Sequence, residues 1–344
     1  MAAHSATRAS SHTDTDTKRS LGSYYTIGNP FTSPAFDAWR TEIPDEARCV
    51  EPFAGSGNIP ILAAQVGYTP SWKLFDVDAS IRGVTHRDTL KNFPRGFDVV
   101  LTNPPYLSYH FAKRKGLPVT KEDFHGHSSL YLVAIEHALR EAKWAGFLIP
   151  ESFITAQVFT ERLHHVVSLR GDLFADTEVP VCLALFGPEK TSDFQVWRDA
   201  TLLGNYSDLA QALTPTPCAR NLHFNRTDGQ IGLMGIDNTR SASISFTAPS
   251  EIPVEKVKHS ARLVSRIFID GKKVNTEALR ELANTELNAW RTRTSDVLLT
   301  AFKGSRDDGL YRRRLDYGSA RALLSHAFCE LQEHEHKAPE LALL

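Results

Sequence analysis

Cysteine is scarce in this sequence, and its positions are far apart. The four cysteines, Cys49, Cys182, Cys218 and Cys329, form no C-x-x-C pair, so their spacing predicts neither a disulfide framework nor a metal site. No run reaches the about eighteen apolar residues that a membrane helix needs. We therefore expect a cytoplasmic protein with no membrane partner. We also expect a monomer.

A strong charge of one sign is also lacking. The 39 Lys and Arg residues oppose 40 Asp and Glu residues, which excludes a uniformly basic coat for nucleic acid. The charge is nevertheless segregated, because residues 251–321 hold 15 basic and 10 acidic residues. Residues 1–20 are rich in Ser, Thr and Ala, and we expect a disordered tail there.

Strand-like and helix-like stretches alternate from Cys49 to Phe186, which predicts an α/β domain with a parallel sheet and crossover helices. The stretches VVSLRGDLF and VPVCLALFGP follow each other without a helix, so they predict an antiparallel hairpin at the end of that sheet. After Pro188 the pattern changes to shorter strand-like pieces, including FQVW, and to longer helical runs. We predict an α/β domain over residues 21–200 and a smaller α+β domain over residues 201–344.

A glycine-containing turn follows the first predicted strand, in the segment EPFAGSGN that begins at Glu51. Small residues at Ala54, Gly55 and Gly57 let the backbone turn sharply and approach a ligand closely. The turn alone is equally typical of an ordinary tight β–α connection. Neither a G-x-G-x-x-G fingerprint nor a GKT phosphate loop is present, so a nucleoside ligand without phosphates fits better than a dinucleotide.

Two acids strengthen that interpretation. Asp76 ends the next predicted strand, where a carboxylate accepts hydrogen bonds from both ribose hydroxyls, and the adjacent Val77 can pack on an adenine ring. Asp88, followed by Thr89, comes just after a short third strand and can accept a hydrogen bond from an adenine amino group. The alternatives are a helix cap for the first acid and a solvated loop for the second.

The most specific pattern is Asn103-Pro104-Pro105-Tyr106, which follows a strongly apolar strand. A planar amino group is a poor nucleophile because its lone pair is delocalised. If the Asn103 side-chain oxygen and the Pro104 carbonyl each accept one of its N–H groups, the lone pair becomes available to an electrophile. The prolines stiffen the loop, and Tyr106 offers a ring for stacking. The alternative is a proline-rich turn in which Asn103 caps its own backbone.

Together these residues resemble the gamma class of DNA adenine-N6 amino-methyltransferases, over about residues 22–188. The resemblance implies a Rossmann-like class I methyltransferase domain with a mixed seven-stranded sheet, S-adenosyl-L-methionine as cofactor, and a C-terminal target-recognition domain. It assigns Asn103–Tyr106 and Phe174 to the target adenine, although Phe174 could equally be a core aromatic. It assigns the following residues to the cofactor: Tyr25, Thr26, Glu51, Pro52, Ala54, Gly55, Gly57, Asp76, Val77, Asp88, Thr89 and Asn103.

The resemblance further implies double-stranded DNA as partner, with a cognate restriction endonuclease that shares the site. An adenine inside a duplex must be extruded before its N6 can react. We expect cations to hold the flanking phosphates, although such charged runs are also typical of solvated surface. The candidates are Lys113, Arg114, Lys115, Arg291, Arg293, Arg312, Arg313 and Arg314.

Three alternatives remain open from the sequence. The same tetrapeptide serves enzymes that methylate adenine in RNA and enzymes that methylate a glutamine side-chain amide. The glutamine enzymes usually begin their donor loop with D-x-G-x-G-S-G, whereas this loop begins with Glu51-Pro52. A catalytically silent nucleic-acid-binding scaffold is the third alternative, since a fold alone does not determine function.

Overall fold

The computed structural model describes residues 28–170, 180–216, 221–258, 263–271 and 274–337. The chain divides into two compact units, residues 1–202 and 203–344. No helix among the described residues is long and apolar enough to cross a membrane. The role of the second unit in target recognition stays a prediction.

The first unit is built around a mixed sheet. Over the described residues its strands are β1 (Arg48–Glu51), β2 (Ser71–Asp76), β3 (Thr85–His86), β4 (Val99–Thr102), β5 (Trp144–Pro150), β6 (Leu163–Ser168), β7 (Val181–Phe186), β8 (Gln195–Arg198) and β9 (Thr201–Asn205). Their order across the sheet is β3-β2-β1-β4-β5-β7-β6-β8-β9. The pairs β2–β3, β1–β2, β1–β4 and β4–β5 are parallel, so these five strands end at one common edge.

Among the described residues of this unit the helices are α1 (Pro34–Thr41), α2 (Asn58–Gln65), α3 (Tyr109–Arg114), α4 (Leu130–Glu141) and α5 (Phe153–Ala156). Short 3-10 turns lie at Glu122–Phe124 and Thr160–Arg162. Helix α2 contains Pro60 in its first turn, where a missing N–H costs nothing because that group has no partner inside the helix. The alternation of strands and helices predicted from sequence is confirmed.

The sheet is larger than expected. The strands β6 and β7 form the predicted antiparallel pair, but β8 pairs parallel to β6, and β9 lies beyond it. The prediction of seven strands ending in that hairpin is therefore wrong by two strands. The segment FQVW, predicted as a short strand-like piece after the hairpin, contributes β8. A four-residue strand pattern cannot indicate which sheet edge it joins, because that depends on contacts distant in sequence.

The core explains why the central strands β4, β5 and β7 are largely apolar. Residues of β4 are buried on both faces of the sheet, as expected for a strand covered by helices on each side. Gly146 of β5 is required by packing: a Cβ atom there would lie 2.5 Å from Leu101 Cδ1 of the neighbouring strand. Trp39 of α1 is fully buried and donates a hydrogen bond of 2.9 Å to the Phe186 carbonyl.

The second unit is an α+β structure. It contains a four-stranded antiparallel sheet of order β10-β13-β11-β12 and a two-stranded hairpin, β14–β15. These strands are β10 (Leu222–Phe224), β11 (Ile231–Met234), β12 (Ser245–Thr247), β13 (Val264–Ile269), β14 (Thr300–Ser305) and β15 (Tyr311–Arg314). Its α-helices, over the part of the chain that the structure describes, are α6 (Tyr206–Ala210), α7 (Thr276–Thr294) and α8 (Tyr317–Lys337). Asn275 caps α7 by accepting a hydrogen bond of 3.1 Å from the Ala278 amide.

The cysteines differ partly from expectation. Cys49 and Cys182 are free and buried, whereas Cys329 of α8 is disulfide-bonded. The Thr216 amide and hydroxyl both bond to Ser325 of the same helix, at 2.9 Å each, which brings a segment more than 100 residues away beside Cys329. Spacing along the chain does not reveal the disulfide of Cys329, because tertiary contacts decide which residues meet.

Candidate active site

The carboxyl ends of three adjacent strands bring the predicted cofactor and acceptor residues to one edge of the sheet. Glu51 ends β1, Asp76 ends β2, and Asn103 directly follows β4. Strand β1 lies between the other two and pairs in parallel with both. Open α/β sheets bind their ligands at this edge.

Backbone conformation explains the glycines of the loop after β1. Gly55 and Gly57 have φ values of +50° and +77°, a left-handed region that other residues adopt only under strain. A Cβ on Gly57 would meet only Leu74 Cδ1, at 3.9 Å, so conformation rather than space requires glycine there. Gly57 is also the N-cap residue of α2. The loop thus turns sharply from the sheet edge into a helix.

Asp76 holds this loop in place. Its Oδ2 accepts a hydrogen bond of 2.8 Å from the Gly55 amide, and its Oδ1 accepts one of 2.9 Å from the Asp78 amide. A carboxylate has about four acceptor positions, so both oxygens can still accept hydroxyl donors. The neighbouring Val77 is 62% exposed, which leaves it available to a ring.

Glu51 is a buried carboxyl group beside the same loop. Its side chain is 1% exposed, and no donor among the described residues reaches its Oε2 atom. Burial, and to a smaller extent the charge of Asp76, raise the pKa of Glu51 well above its ordinary value. A buried acceptor without a donor is costly, so this oxygen is suited to an N–H or ammonium donor on a ligand.

The segment after β3 is tied to the glycine loop by Thr89. This residue is buried, and its hydroxyl donates a hydrogen bond of 2.7 Å to the Pro52 carbonyl. The bond brings Asp88 to the side of the loop. The Asp88 carboxylate lies 3.3 Å from Lys91 Nζ, so its predicted contact with an adenine stays a prediction.

The tetrapeptide after β4 is held by two neighbouring elements. The Tyr106 hydroxyl lies 2.7 Å from Asn103 Oδ1 and 3.0 Å from the Leu148 carbonyl of β5. The Tyr106 ring is half-buried and meets Tyr131 edge to face, with ring centroids 6.5 Å apart. The Ser129 hydroxyl, at the start of α4, bonds to the Tyr106 and Leu107 carbonyls at 3.2 and 3.1 Å. Sequence reasoning missed both Ser129 and the Tyr106 hydroxyl contact.

A segment with several basic side chains, residues 107–129, connects this loop to α4. Its small core contains Leu107, Ala112 and Phe124. The side chains of Lys113, Arg114 and Lys115 are exposed, and the last two lie over the Phe111 ring at 5.8 and 5.9 Å. They are accessible to phosphates, and their role in DNA binding stays a prediction.

A buried ion pair at the end of β5 was also missed. Glu151 and Arg198 are 3% and 5% exposed, and Arg198 donates a hydrogen bond of 3.1 Å to Glu151 Oε1. Ser168 contacts both side chains. The acid directly after an apolar strand was the only signal, because Arg198 comes from β8, whose place in the main sheet was not predicted.

Two of the predicted DNA-binding cations are structural instead. Arg291 is 6% exposed and binds both carboxylate oxygens of the fully buried Asp237, at 2.9 and 2.8 Å, and Arg313 is 1% exposed. The prediction for these two side chains is corrected, because each faces inward to a buried partner: Arg291 to the Asp237 carboxylate, and Arg313 to the Leu299 carbonyl, to which its Nη1 donates a hydrogen bond of 3.2 Å. Arg293 is exposed, whereas Arg312 and Arg314 are half-buried.

Three predicted residues, Tyr25, Thr26 and Phe174, lie outside the described residues. Over the part of the chain that the structure describes, no group of three or more His, Cys, Asp or Glu side chains is arranged to hold a metal ion.

Comparison with known proteins finds a family match over part of this site, which includes Asp76 and Asn103. Residues 58–174 match the Eco57I restriction-modification methylase family. This match confirms the resemblance to restriction-modification methyltransferases over those residues, while the narrower gamma class stays a prediction. No curated protein is similar enough in sequence to count as a relative.

Several solved structures resemble part of the fold. The methyltransferase subunit of a type I restriction-modification system from Streptococcus thermophilus is 19% identical, over 51% of this chain and 47% of that one, with a TM-score of 0.35. A candidate class I S-adenosylmethionine-dependent methyltransferase from Listeria monocytogenes is 17% identical, over 50% and 68%, with a TM-score of 0.33.

A candidate RNA methyltransferase from Pyrococcus horikoshii is 16% identical, over 50% of this chain and 90% of that one, with a TM-score of 0.35. The chain spans about half the length of the type I subunit that it matches. Similarities at this level carry no argument about activity or substrate.

Proposed function

We propose that this protein is an S-adenosyl-L-methionine-dependent, site-specific DNA methyltransferase that methylates N6 of adenine. The observation that carries the proposal is the position of Asn103-Pro104-Pro105-Tyr106 after β4, on the sheet edge that also holds the glycine loop after β1. The family match over residues 58–174 supports methyl transfer within a restriction-modification system.

The residues around the glycine loop fit the proposed cofactor. Glu51 Oε2 is a buried acceptor with no donor among the described residues, which suits the ammonium group of a methionine moiety. Asp76 retains acceptor positions for ribose hydroxyls, and the exposed Val77 suits an adenine ring. The chemistry that S-adenosyl-L-methionine supplies when bound is an electrophilic methyl group on a positively charged sulfur.

Asn103 and Pro104 would prepare the acceptor nitrogen. Each of their oxygens accepts one N–H bond from the adenine amino group, which pulls the nitrogen toward tetrahedral geometry and localises its lone pair. Rigid prolines keep these acceptors in place before the substrate arrives, so little reorganisation is needed during the reaction. The methylated nitrogen then loses one proton to water, because amide oxygens are too weakly basic to retain it.

Access to adenine N6 requires the base to leave the duplex. The Tyr106 ring, together with Phe174, would stack on the extruded base. The exposed cations Lys113, Arg114, Lys115 and Arg293, with the half-buried Arg312 and Arg314, would hold the backbone phosphates. In this proposal the protein acts in the cytoplasm as a monomer on double-stranded DNA, and a cognate restriction endonuclease shares its site.

One experiment separates the candidate substrates. The protein is incubated with tritiated S-adenosyl-L-methionine and, in parallel, with unmethylated duplex DNA, total RNA and protein extract. The labelled polymer is then hydrolysed to nucleosides or amino acids. We expect label in N6-methyladenine from DNA.

Each other outcome has a definite meaning. Label in RNA adenine or in glutamine would replace the proposed substrate while keeping the amino-group chemistry. Cofactor binding without transfer to any polymer would indicate a silent binding protein and would overturn the proposal.

A further inference from the structure

The side chain of Asn103 cannot be anchored in the usual way. An asparagine in a turn commonly bonds its side-chain oxygen to the amide two residues further on. In Asn103-Pro104-Pro105 that residue is a proline, and the one before it is a proline as well, so neither has an N–H group. The loop that must orient this side chain therefore lacks the backbone donors that normally do so.

The phenol of Tyr106 supplies a donor from the first residue after the prolines. Its oxygen lies 2.7 Å from Asn103 Oδ1. The hydroxyl donates to an oxygen, so the contact distinguishes the oxygen of the carboxamide from its NH2 group. This distinction matters, because only the oxygen can accept an N–H bond from the target amino group.

The same phenol is attached to the sheet. Its oxygen is 3.0 Å from the Leu148 carbonyl of β5, and one proton shared between two acceptors is a common three-centre arrangement. Thr102, just before Asn103, is opposite Phe147 in the β4–β5 pairing, so Leu148 is the next residue along the neighbouring strand. Tyr106 thus connects the acceptor side chain to a rigid, buried strand.

The backbone carbonyl of Tyr106 is held by contacts other than those of its hydroxyl. Ser129 Oγ bonds to the Tyr106 carbonyl at 3.2 Å and to the Leu107 carbonyl at 3.1 Å, and the Leu130 amide bonds to the Leu107 carbonyl at 3.0 Å. Because its backbone and its hydroxyl are both fixed, the Tyr106 side chain can transmit the orientation of β5 and α4 to Asn103.

We infer that Tyr106 is a positioning residue whose hydroxyl sets the orientation of the Asn103 carboxamide, in addition to any stacking by its ring. An amide oxygen has two lone pairs, so the phenol bond leaves one for the target N–H. The inference rests on the proposed function only for the identity of that target, since the hydroxyl acts on Asn103 whichever amino group is methylated.

A mutant cycle tests the inference through activity. Tyr106→Phe keeps the ring and removes the hydroxyl. We expect its single-turnover methyl transfer to fall about tenfold, the effect of a 1.4 kcal/mol loss in transition-state stabilisation, with the DNA KM and the cofactor Kd unchanged. In an Asn103→Ala background the same substitution should have no further effect, because its target is gone.

Tyr131→Phe is the matched control, since it removes a neighbouring buried phenol whose ring touches Tyr106. We expect its rate to stay near that of the unaltered protein. A Tyr106→Phe variant that transfers methyl groups at the unaltered rate would overturn the inference, and so would an equal rate loss in the Asn103→Ala background.

A structural readout keeps the inference testable if the proposed function fails. Crystal structures of the unaltered protein and of Tyr106→Phe should show one carboxamide orientation for Asn103 in the first and several in the second. Absence of transfer to every polymer would refute the proposed function alone. An unchanged, single Asn103 orientation in the variant would refute the positioning role.

Discussion

Asn103 is the residue on which the proposed chemistry depends. We expect Asn103→Ala to lower methyl transfer by about 10²–10³-fold, the usual effect of removing one preorganised polar group from a site. Cofactor affinity should change less than about twofold, because Glu51, Asp76 and the glycine loop remain intact. Tritium transfer and calorimetric titration with the cofactor measure the two quantities. Unchanged turnover would contradict the assignment.

The contribution of Glu51 to folding stability depends on pH, and the direction of that dependence follows from its burial. Its pKa is raised in the folded protein, so the folded state binds a proton that the unfolded chain releases as the pH rises above about 4.5. Its contribution to stability is therefore present at low pH and is lost as the pH rises toward the folded pKa. Replacing it with neutral glutamine removes this loss.

We expect Glu51→Gln to raise the melting temperature at pH 8 and to leave it unchanged near pH 4, while cofactor affinity falls because the ammonium group loses its anionic partner. Thermal unfolding of both proteins across this pH range, with cofactor titration at pH 8, measures both effects. A melting difference that is independent of pH would refute the burial argument.

At the scale of elements, the loop between β1 and α2 depends on a left-handed glycine. We expect Gly57→Ala to lower the free energy of unfolding by about 1–2 kcal/mol, because alanine is strained at a φ of +77°. The same strain should weaken cofactor binding, since the loop can relax only by leaving its ligand-binding conformation. Urea unfolding and cofactor titration measure the two changes.

Gly309→Ala is a matched control for this loop. It also has a φ of +77° and open space around it, but it lies in the hairpin β14–β15 of the second unit. We expect a similar loss of stability and no change in cofactor affinity. If both variants weakened the cofactor equally, the effect at Gly57 would be one of general destabilisation.

At the scale of the whole molecule, the second unit depends on a buried ion network. Asp237 is fully buried and pairs with Arg291 and Arg306. Burial alone would raise its pKa, but hydrogen bonds from Arg291 and from the Ser243 amide hold the pKa below its ordinary value. Asp237→Ala leaves two buried guanidinium groups without this partner, so we expect a loss of about 3–5 kcal/mol in unfolding free energy.

Asp228→Ala is the comparison for that network, because it removes an exposed pair with Arg226. Chemical denaturation should detect less than about 1 kcal/mol for this variant. Equal losses in the two variants would show that the buried network has no special weight.

The proposed DNA contact also belongs to this scale. Neutralising Lys113, Arg114 and Lys115 to alanine should weaken DNA binding and reduce the slope of log affinity against log salt by about 0.9 for each phosphate that these cations neutralise. The control replaces three exposed cations near the opposite edge of the sheet, Arg95, Lys143 and Lys190, with alanine. Fluorescence anisotropy over a salt series measures both slopes, and identical slopes would remove these residues from the interface.

Much of the first unit was predictable because its determinants are local. Alternation of apolar runs with helical stretches indicated the parallel strands, and the end of a parallel strand is a defined place in such a sheet. The position of Glu51, Asp76 and Asn103 on one edge of the sheet follows from strand assignment and the rules of parallel topology.

The remaining features depended on contacts between distant residues, and only the tertiary structure decided them. Strand β8 joined the main sheet through β6, and Arg291 turned inward because Asp237, 54 residues earlier, lies opposite it. The chemistry at Asn103 followed from its sequence, because two adjacent prolines remove specific donors. The Tyr106 hydroxyl takes the place of one of these donors and also bonds to the Leu148 carbonyl. This arrangement depends on the fold, which brings β5 alongside the loop.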